Sequence, residues 1–198
     1  MDTRPTRLTH RRFLVRAVKG LIIGTLIFFS VWASSWAWLP EGSFVMFPLS
    51  TIITCEGSAA NAMRIFAWNI TLTGGLVAVS SLFAARRFPY SHVIPWPTFA
   101  VYAGMLASSS SWCGALPEPL PPSSAILWTR AGYREIAGYL LIAAALANQF
   151  LWRQPRFFGL QVERVRAPKA LKLDLGARLG LCLAVLLVGW GAVVEATP

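Results

Sequence analysis

Long apolar stretches, separated by short polar or basic segments, run through the whole chain. A stretch of about 20 apolar residues, at 1.5 Å of rise per residue, crosses the roughly 30 Å hydrocarbon layer of a bilayer. The pattern therefore predicts an all-α membrane protein, folded as a bundle of about five transmembrane helices. A basic tail over residues 1–19 precedes a single membrane domain over residues 20–198, whose predicted spans are about 20–40, 61–85, 93–112, 130–152 and 176–196.

The predicted connections differ in character. Residues 44–54 are apolar but too short to cross a membrane, and Pro48 interrupts them, so we expect them either to lie in the membrane interface or to enter the membrane and return. Residues 114–124 are rich in proline, which is typical of a stiff, extended connector. Residues 153–175 combine basic and apolar side chains, which predicts an amphipathic segment lying in the interface. Anionic lipid headgroups are its expected contacts, and the arginines concerned are Arg153, Arg156, Arg164 and Arg166.

Glycines and prolines mark details of the predicted helices. Gly20 with Gly24, and Gly176 with Gly180, form two GxxxG pairs, a spacing that allows close contact between helices. Pro95 falls in the first turn of the third span, where the missing N–H of proline matters least.

Composition supports the membrane prediction. Hydrophobic residues make up 56% of the chain and charged residues only 13%, whereas soluble domains carry about 25% charged residues. Nine tryptophans are present, and tryptophan favours membrane interfaces. The net charge of +10 would also suit nucleic-acid binding, but membrane topology explains it better, so we expect no nucleic-acid partner.

The basic residues predict an orientation. Of the 18 lysines and arginines, fifteen fall on the side that holds the N-terminal tail and the connections after the second and fourth spans. Only Arg64, Arg130 and Arg134 fall on the opposite side. Because basic residues accumulate on the cytoplasmic side of a membrane, we expect a cytoplasmic N-terminus and an external C-terminus.

The same topology gathers polar residues of the spans at one outer level. Helical spacing places Asn69 and Thr73 on one face of the second span. A pair of Arg64 with either Glu135 or Glu195 would neutralise both charges in a low dielectric. One interpretation is a charged cluster between helices, serving an ion path or a docking site; the alternative is headgroup-level charges that serve topology and packing. The predicted cluster consists of Arg64, Asn69, Arg134, Glu135 and Glu195.

Cysteine positions suggest one possible crosslink. Cys55 and Cys113 both fall on the predicted outer side, where an oxidising environment permits a disulfide. Either the two residues pair or they remain two separate thiols. Cys182 lies inside the fifth predicted span and is expected to be a packing residue.

Searches for catalytic and cofactor motifs find none. Both histidines, His10 and His92, fall on the predicted cytoplasmic side, far from the predicted cluster with Glu135 and Glu195. The chain has no set of residues with metal-ligand spacing, no haem attachment motif and no phosphate-binding glycine loop. We therefore expect a protein that is not an enzyme and that holds no metal or other cofactor.

Three stretches of the chain resemble the stage II sporulation protein M family, a broad group of small bacterial and archaeal membrane proteins. They are Asn69-Ile70 followed by Gly74-Gly75, residues 132–144 around Glu135, and the closing Val194-Glu195-Ala196-Thr197-Pro198. The resemblance follows most of the chain in order and spacing. It implies that Glu135 and Glu195 are the family's two acidic positions, and that the protein resides in the prokaryotic plasma (inner) membrane.

The chain departs from the family pattern at three places. The histidine that often precedes the family's glutamate is replaced here by Ala131 or Gly132. Val79-Ser80-Ser81 stands where the family has an Asn-Gly pair, and the closing signature lacks its two spacer residues. The best-known member of the family works in a membrane complex that localises peptidoglycan-degrading partners during engulfment. Because of the departures above, we do not carry that specific role over to this chain.

These observations favour a non-enzymatic membrane scaffold or accessory subunit that packs with other membrane proteins in a larger complex. The alternative is a component of a transporter or channel that uses Arg64, Glu135 and Glu195 as an intramembrane polar cluster. A third hypothesis is an accessory subunit of an energy-converting assembly, with tryptophan-rich faces as contact surfaces. The expected partners are anionic membrane lipids and other integral membrane proteins.

Overall fold

Helices account for most of the described residues, which confirms the predicted helical class. The helices are α1 (Thr6–Trp38), α2 (Ala59–Asn69), α3 (Gly75–Ser81), α4 (Pro95–Ala107), α5 (Ser124–Thr129), α6 (Gly132–Leu146) and α7 (Leu175–Ala196). The computed structural model describes residues 6–43, 58–85, 88–92, 95–108, 110–111, 114–115, 118–129, 132–147, 149–156, 161–165 and 173–196.

Local chemistry explains several helix ends. The Ser58 side chain accepts a hydrogen bond from the Asn61 N–H at 3.2 Å and caps α2. Asp174 does the same for α7, accepting from the Ala177 N–H at 2.8 Å. Pro95 lies in the first turn of α4, as predicted. A single π-helical turn, Ile70–Gly74, joins α2 to α3, so residues 59–81 form one continuous rod.

Within the described residues, three helices are long and apolar enough to cross a membrane. They are Phe13–Trp38, Ala59–Ser81 and Leu175–Ala196, with mean hydropathies of 1.9, 1.3 and 2.1. The protein is therefore an integral membrane protein by length and composition. By contrast, α4 has 13 residues and α6 has 15, fewer than the roughly 20 that span a bilayer unaided.

Three predicted spans end too late. Span 61–85 gives way to a strand at Phe83–Ala85, and span 93–112 stops being helical after Ala107. Span 130–152 stops at Leu146, and Trp152 lies in a strand. The predicted ends are late because apolar residues continue beyond the point at which the backbone leaves the helical conformation. At the second of these ends, the Ser108 hydroxyl donates to the Met105 carbonyl at 3.3 Å, which offers the chain a local alternative to further helix.

A small four-stranded sheet lies where these chain turns meet. Its strands are β1 (Phe83–Ala85), β2 (Phe88–Pro89), β5 (Trp152–Gln154) and β6 (Glu163–Arg164), arranged β2-β1-β5-β6, with β1 and β5 parallel. A separate hairpin pairs β3 (Ser110–Ser111) with β4 (Gly114–Ala115). Within the segment 153–175, the residues described as strands bond their backbone across this sheet; that the segment lies in the membrane interface stays a prediction.

Contacts between pairs of residues fix the helix directions. Asn69 faces Glu135 and Gly74 faces Ile142, so the α2–α3 rod runs parallel to α6. On α7, Gly191 faces Glu135 and Val188 faces Gly138, so α7 runs antiparallel to α6. Gly24 faces Leu140, and Phe28 and Gly132 both lie against Tyr102, so α1 runs antiparallel to α6. Trp32 bonds to Leu120, whose N–H donates to the Leu106 carbonyl, so α4 runs parallel to α1.

Helix α6 lies at the centre of the bundle. Twelve of its fifteen residues are buried, and it packs against α1, α3 and α7. Gly138 permits the closest approach, because a Cβ there would lie 3.0 Å from the Ala184 carbonyl oxygen of α7. Of the predicted GxxxG pairs, Gly24 packs against Leu140 and Gly180 against Phe13, whereas no atom lies within 4 Å of a Cβ built on Gly20.

Candidate functional site

The first turn of α6 carries a buried carboxylate. Glu135 is only 7% exposed, and its Oε1 accepts a hydrogen bond from Asn69 Nδ2 at 2.5 Å. Among the described residues Glu135 forms no ion pair. A carboxylate enclosed in a membrane protein without a basic partner is costly, and such residues usually mark ion or substrate pathways.

Helix α7 closes the other side of this carboxylate. Gly191 lies directly against it, since a Cβ there would come within 2.7 Å of Glu135 Cγ. One helical turn further along α7, the charge of Glu195 interacts with that of Glu135. Glu135 and Glu195 thus lie on the two sides of the α6–α7 contact. Gly191, which has no side chain, leaves the space that Glu135 occupies.

A second polar pair extends the site by one helical turn. The Tyr139 side chain, four residues after Glu135, is buried and lies beside the side chain of Thr73. Thr73 lies four residues after Asn69, inside the π-helical turn Ile70–Gly74. Single π-helical turns within α-helices occur frequently at functional sites. The α2–α3 rod and α6 therefore meet through two successive polar pairs.

The two predicted arginines do not join this hydrogen-bonded cluster. The Arg134 guanidinium lies over the Trp190 ring, 4.9 Å from its centroid, in a cation–π contact. Its Nη1 is enclosed and has no hydrogen-bond acceptor in the part of the chain that the structure describes. Arg64 is exposed on α2 and makes none of these contacts. Asn69 and Glu135 are thus brought together, with Glu195 close by.

Sequence reasoning overlooked two residues of this site. Tyr139 follows Glu135 by four residues, and Gly191 precedes Glu195 by four. Both spacings put the overlooked residue on the same helical face as the acid. The spacing of Tyr139 was readable from the sequence, but nothing in the sequence shows that Gly191 receives a side chain from another helix.

The predicted lipid-contact arginines have separate outcomes. Arg153 is exposed and forms an ion pair with Glu163, with Nη2 and Oε2 3.0 Å apart. Arg156 and Arg164 are also exposed, and Arg166 lies outside the described residues.

The cysteine predictions also divide. Cys55 and Cys113 lie outside the described residues. Cys182, expected as a packing residue, is instead exposed on α7 as a free thiol, because the face of α7 that carries it points away from the bundle.

A second group of polar residues lies at the opposite end of the rod. Ser80 and Ser81 end α3 and are buried. The short 3-10 turn Tyr90–His92 packs against both α3 and α6, and the Ser91 hydroxyl within it is buried with no hydrogen-bond partner among the described residues. Burial lowers the pKa of His92, and the neighbouring Arg16 guanidinium lowers it further.

No metal centre emerges from the described residues. They contain no group of three or more His, Cys, Asp or Glu side chains able to hold a metal ion. Comparison with protein-family models, curated proteins and solved structures finds no match to this chain. Fold and site together define a helical integral membrane protein with a buried carboxylate on its central helix.

Proposed function

We propose that the protein is a component of a membrane transporter or channel, with Glu135 on an ion path through the helix bundle. The observation that carries this proposal is the setting of Glu135. It is almost fully enclosed, its hydrogen-bond donor is the neutral amide of Asn69, and its charged neighbour is another acid, Glu195. A purely structural charge in a membrane is normally paired with an opposite one.

Five membrane crossings belong to this proposal. The alternating directions of α1, the α2–α3 rod, α4, α6 and α7 support it, with neighbouring chain segments completing the two short helices. Basic residues at the end that holds the small sheet support a cytoplasmic N-terminus and an external C-terminus. The basic residues described there are Arg16, Arg153, Arg156, Arg164 and Arg178.

Ion flux into vesicles tests the transport proposal. The purified protein, together with any chains that accompany it, is reconstituted and flux is followed under an imposed ion gradient. Glu135→Gln and Glu195→Gln should each abolish flux while leaving the purified assembly intact. Glu163→Gln is the matched control, because Glu163 is exposed and pairs with Arg153 in the sheet. Flux that survives both glutamine substitutions in the bundle would contradict the proposal.

A second candidate function is a non-enzymatic scaffold or accessory subunit that packs with other integral membrane proteins. A specific feature of α1 favours it. One side of α1 is exposed and, apart from Lys19, apolar. Gly20 borders this side, and no described residue of another element lies within 4 Å of a Cβ built there. A glycine beside an exposed apolar helix face allows the backbone of a partner helix to approach closely. The exposed side chains are Leu14, Val15, Val18, Ile22, Ile23 and Leu26.

Co-purification in mild detergent distinguishes the scaffold from the transporter. If α1 docks another membrane protein at this face, Gly20→Leu should release that protein and leave the chain folded. Ala33→Leu, at an exposed position further along α1, adds the same bulk and should have no effect. A chain that purifies alone, with no accompanying protein to release, would refute the scaffold role.

The resemblance to the stage II sporulation protein M family fits either candidate, because it implies a small prokaryotic inner-membrane protein without an enzymatic site. In this proposal Glu135 and Glu195 are the two acidic positions of that family. The spacing of Glu135 and Glu195 along the chain favours neither the transporter nor the scaffold. Because the two residues lie close together in space, Glu135→Gln and Glu195→Gln bear on both candidate functions.

A further inference from the structure

Polar side chains occupy both ends of the contact between the α2–α3 rod and α6. At one end lie Glu135 with Asn69, then Tyr139 with Thr73 one turn on. At the other end lie Ser80 and Ser81, both buried. All these residues line a contact between helices that run in the same direction, so they form one interrupted row rather than two unrelated patches.

The end of this row that holds Ser80 and Ser81 also contains a hydroxyl that forms no hydrogen bond with any described residue. Ser91 is fully buried, at 0% exposure, and its Oγ has no partner among the described residues. Buried hydroxyls are nearly always hydrogen-bonded, so an orphaned one calls for an explanation such as a water molecule. His92 follows Ser91 directly and has Arg16 of α1 as a charged neighbour, which continues the polar row to the end of the bundle.

An apolar barrier separates the two polar ends. Val77 is fully buried between Thr73 and Ser80 on the same rod, and Ile142 of α6 packs in the same core cluster. Thr73 and Ser80 are seven residues apart, about 10 Å along a helix axis. Hydrogen bonds between oxygen atoms are about 2.8 Å long, so two or three water molecules would have to enter transiently to connect the ends.

We propose that the contact between the α2–α3 rod and α6 is a proton pathway, running from Glu135 through Tyr139 and Thr73 to Ser91 and His92, with Val77 as its apolar gate. This inference rests on the proposed transport function and names its ion. The proton suits the site because hydroxyls, an imidazole and a carboxyl can each accept and release one. Side chains packed this closely leave little room for a hydrated metal cation. Dewetting at an apolar constriction is a known means of gating.

An isosteric pair of substitutions tests the gate. Val77→Thr keeps the shape of the side chain and adds a hydroxyl at the barrier, whereas Val79→Thr makes the same change at a position 58% exposed toward lipid. Proton uptake is followed with a pH-sensitive dye inside vesicles that contain the purified protein, driven by a potassium diffusion potential. Val77→Thr should raise proton flux at least threefold over wild type, and Val79→Thr should leave it unchanged.

Two further variants test the polar ends. Glu135→Gln should reduce proton flux at least tenfold, and Ser91→Ala should reduce it severalfold because the end that holds Ser80 and Ser81 then loses its free hydroxyl. Size-exclusion profiles and circular dichroism spectra matching wild type would show that the variants are folded.

Different negative results distinguish the proton pathway from the proposed transport function. Flux of sodium or potassium that depends on Glu135, without proton flux, would overturn the proton pathway and leave the transport function standing. Proton flux that ignores Val77→Thr and Ser91→Ala would overturn the route through this contact. Absence of flux for every ion tested would overturn both.

Discussion

Asn69 Nδ2 donates a hydrogen bond to Oε1 of Glu135 across 2.5 Å, joining residues 66 positions apart in the chain. The bond links the second apolar rod to the central helix at the level where α7 contributes Gly191. Hydrogen bonds between membrane helices are usually worth less than 2 kcal/mol, although a charged acceptor strengthens them. This single contact therefore combines a structural role with the placement of the buried acid.

Asn69→Ala should reduce the free energy of unfolding by about 1–2 kcal/mol, because Glu135 loses its donor in a water-poor environment. Unfolding in detergent, followed by circular dichroism, measures the change. Thr71→Ala is the control on the same rod, since Thr71 is exposed and its substitution should be nearly neutral. Equal effects of the two substitutions would show that the bond to Glu135 contributes nothing specific.

Gly138→Ala should destabilise the protein by about 1–3 kcal/mol through overpacking. The added Cβ would meet Val188 Cγ2 at 2.7 Å and the Ala184 carbonyl oxygen at 3.0 Å. The sign of this change in the free energy of unfolding is informative, because replacing glycine by alanine at an open helix position stabilises a protein by up to about 1 kcal/mol. Gly75→Ala provides that comparison, as its nearest neighbour would be 3.8 Å away. A stabilising Gly138→Ala would mean that α6 and α7 lie further apart.

Trp32→Phe should cost about 1–3 kcal/mol. The indole Nε1 of fully buried Trp32 donates to the Leu120 carbonyl at 2.9 Å, and phenylalanine leaves that carbonyl without its donor. The free energy of unfolding in detergent again measures the loss. Trp38→Phe should have little effect, because Trp38 is 85% exposed. Similar behaviour of the two variants would place the connection before α5 away from α1.

Acid should weaken the fold through His92. Its pKa in the folded protein is lowered, by burial first and by Arg16 second, below the ordinary value of 6.5. The unfolded chain therefore binds the proton more readily, and stability falls as pH drops below about 6.5 toward the folded pKa. Above that window His92 makes no pH-dependent contribution.

Thermal unfolding between pH 5 and pH 8 checks this expectation. His92→Gln should flatten the decline on the acid side, and Arg16→Gln should reduce it, since the smaller of the two causes is then removed. A decline that is unchanged in His92→Gln would assign the acid sensitivity to other groups.

The sequence alone determined the membrane class, the predominance of helix and the position of Pro95 in the first turn of α4. It also placed Asn69 and Thr73 on one helical face, and both do point toward α6. These features depend on neighbouring residues: a run of apolar side chains, a proline ring or a spacing of four can each be read without knowing where any other helix lies.

Only the tertiary structure decided which polar residues meet. Glu135 takes Asn69 rather than Arg64 as its partner, Arg134 turns to Trp190, and Gly191 makes room for the carboxylate. Such contacts join residues far apart in the chain, and they depend on how closely and in which direction helices pack. The ends of α4 and α6 were also decided by the tertiary structure. An apolar run shows which residues avoid water, but it does not show at which residue the backbone leaves the helical conformation.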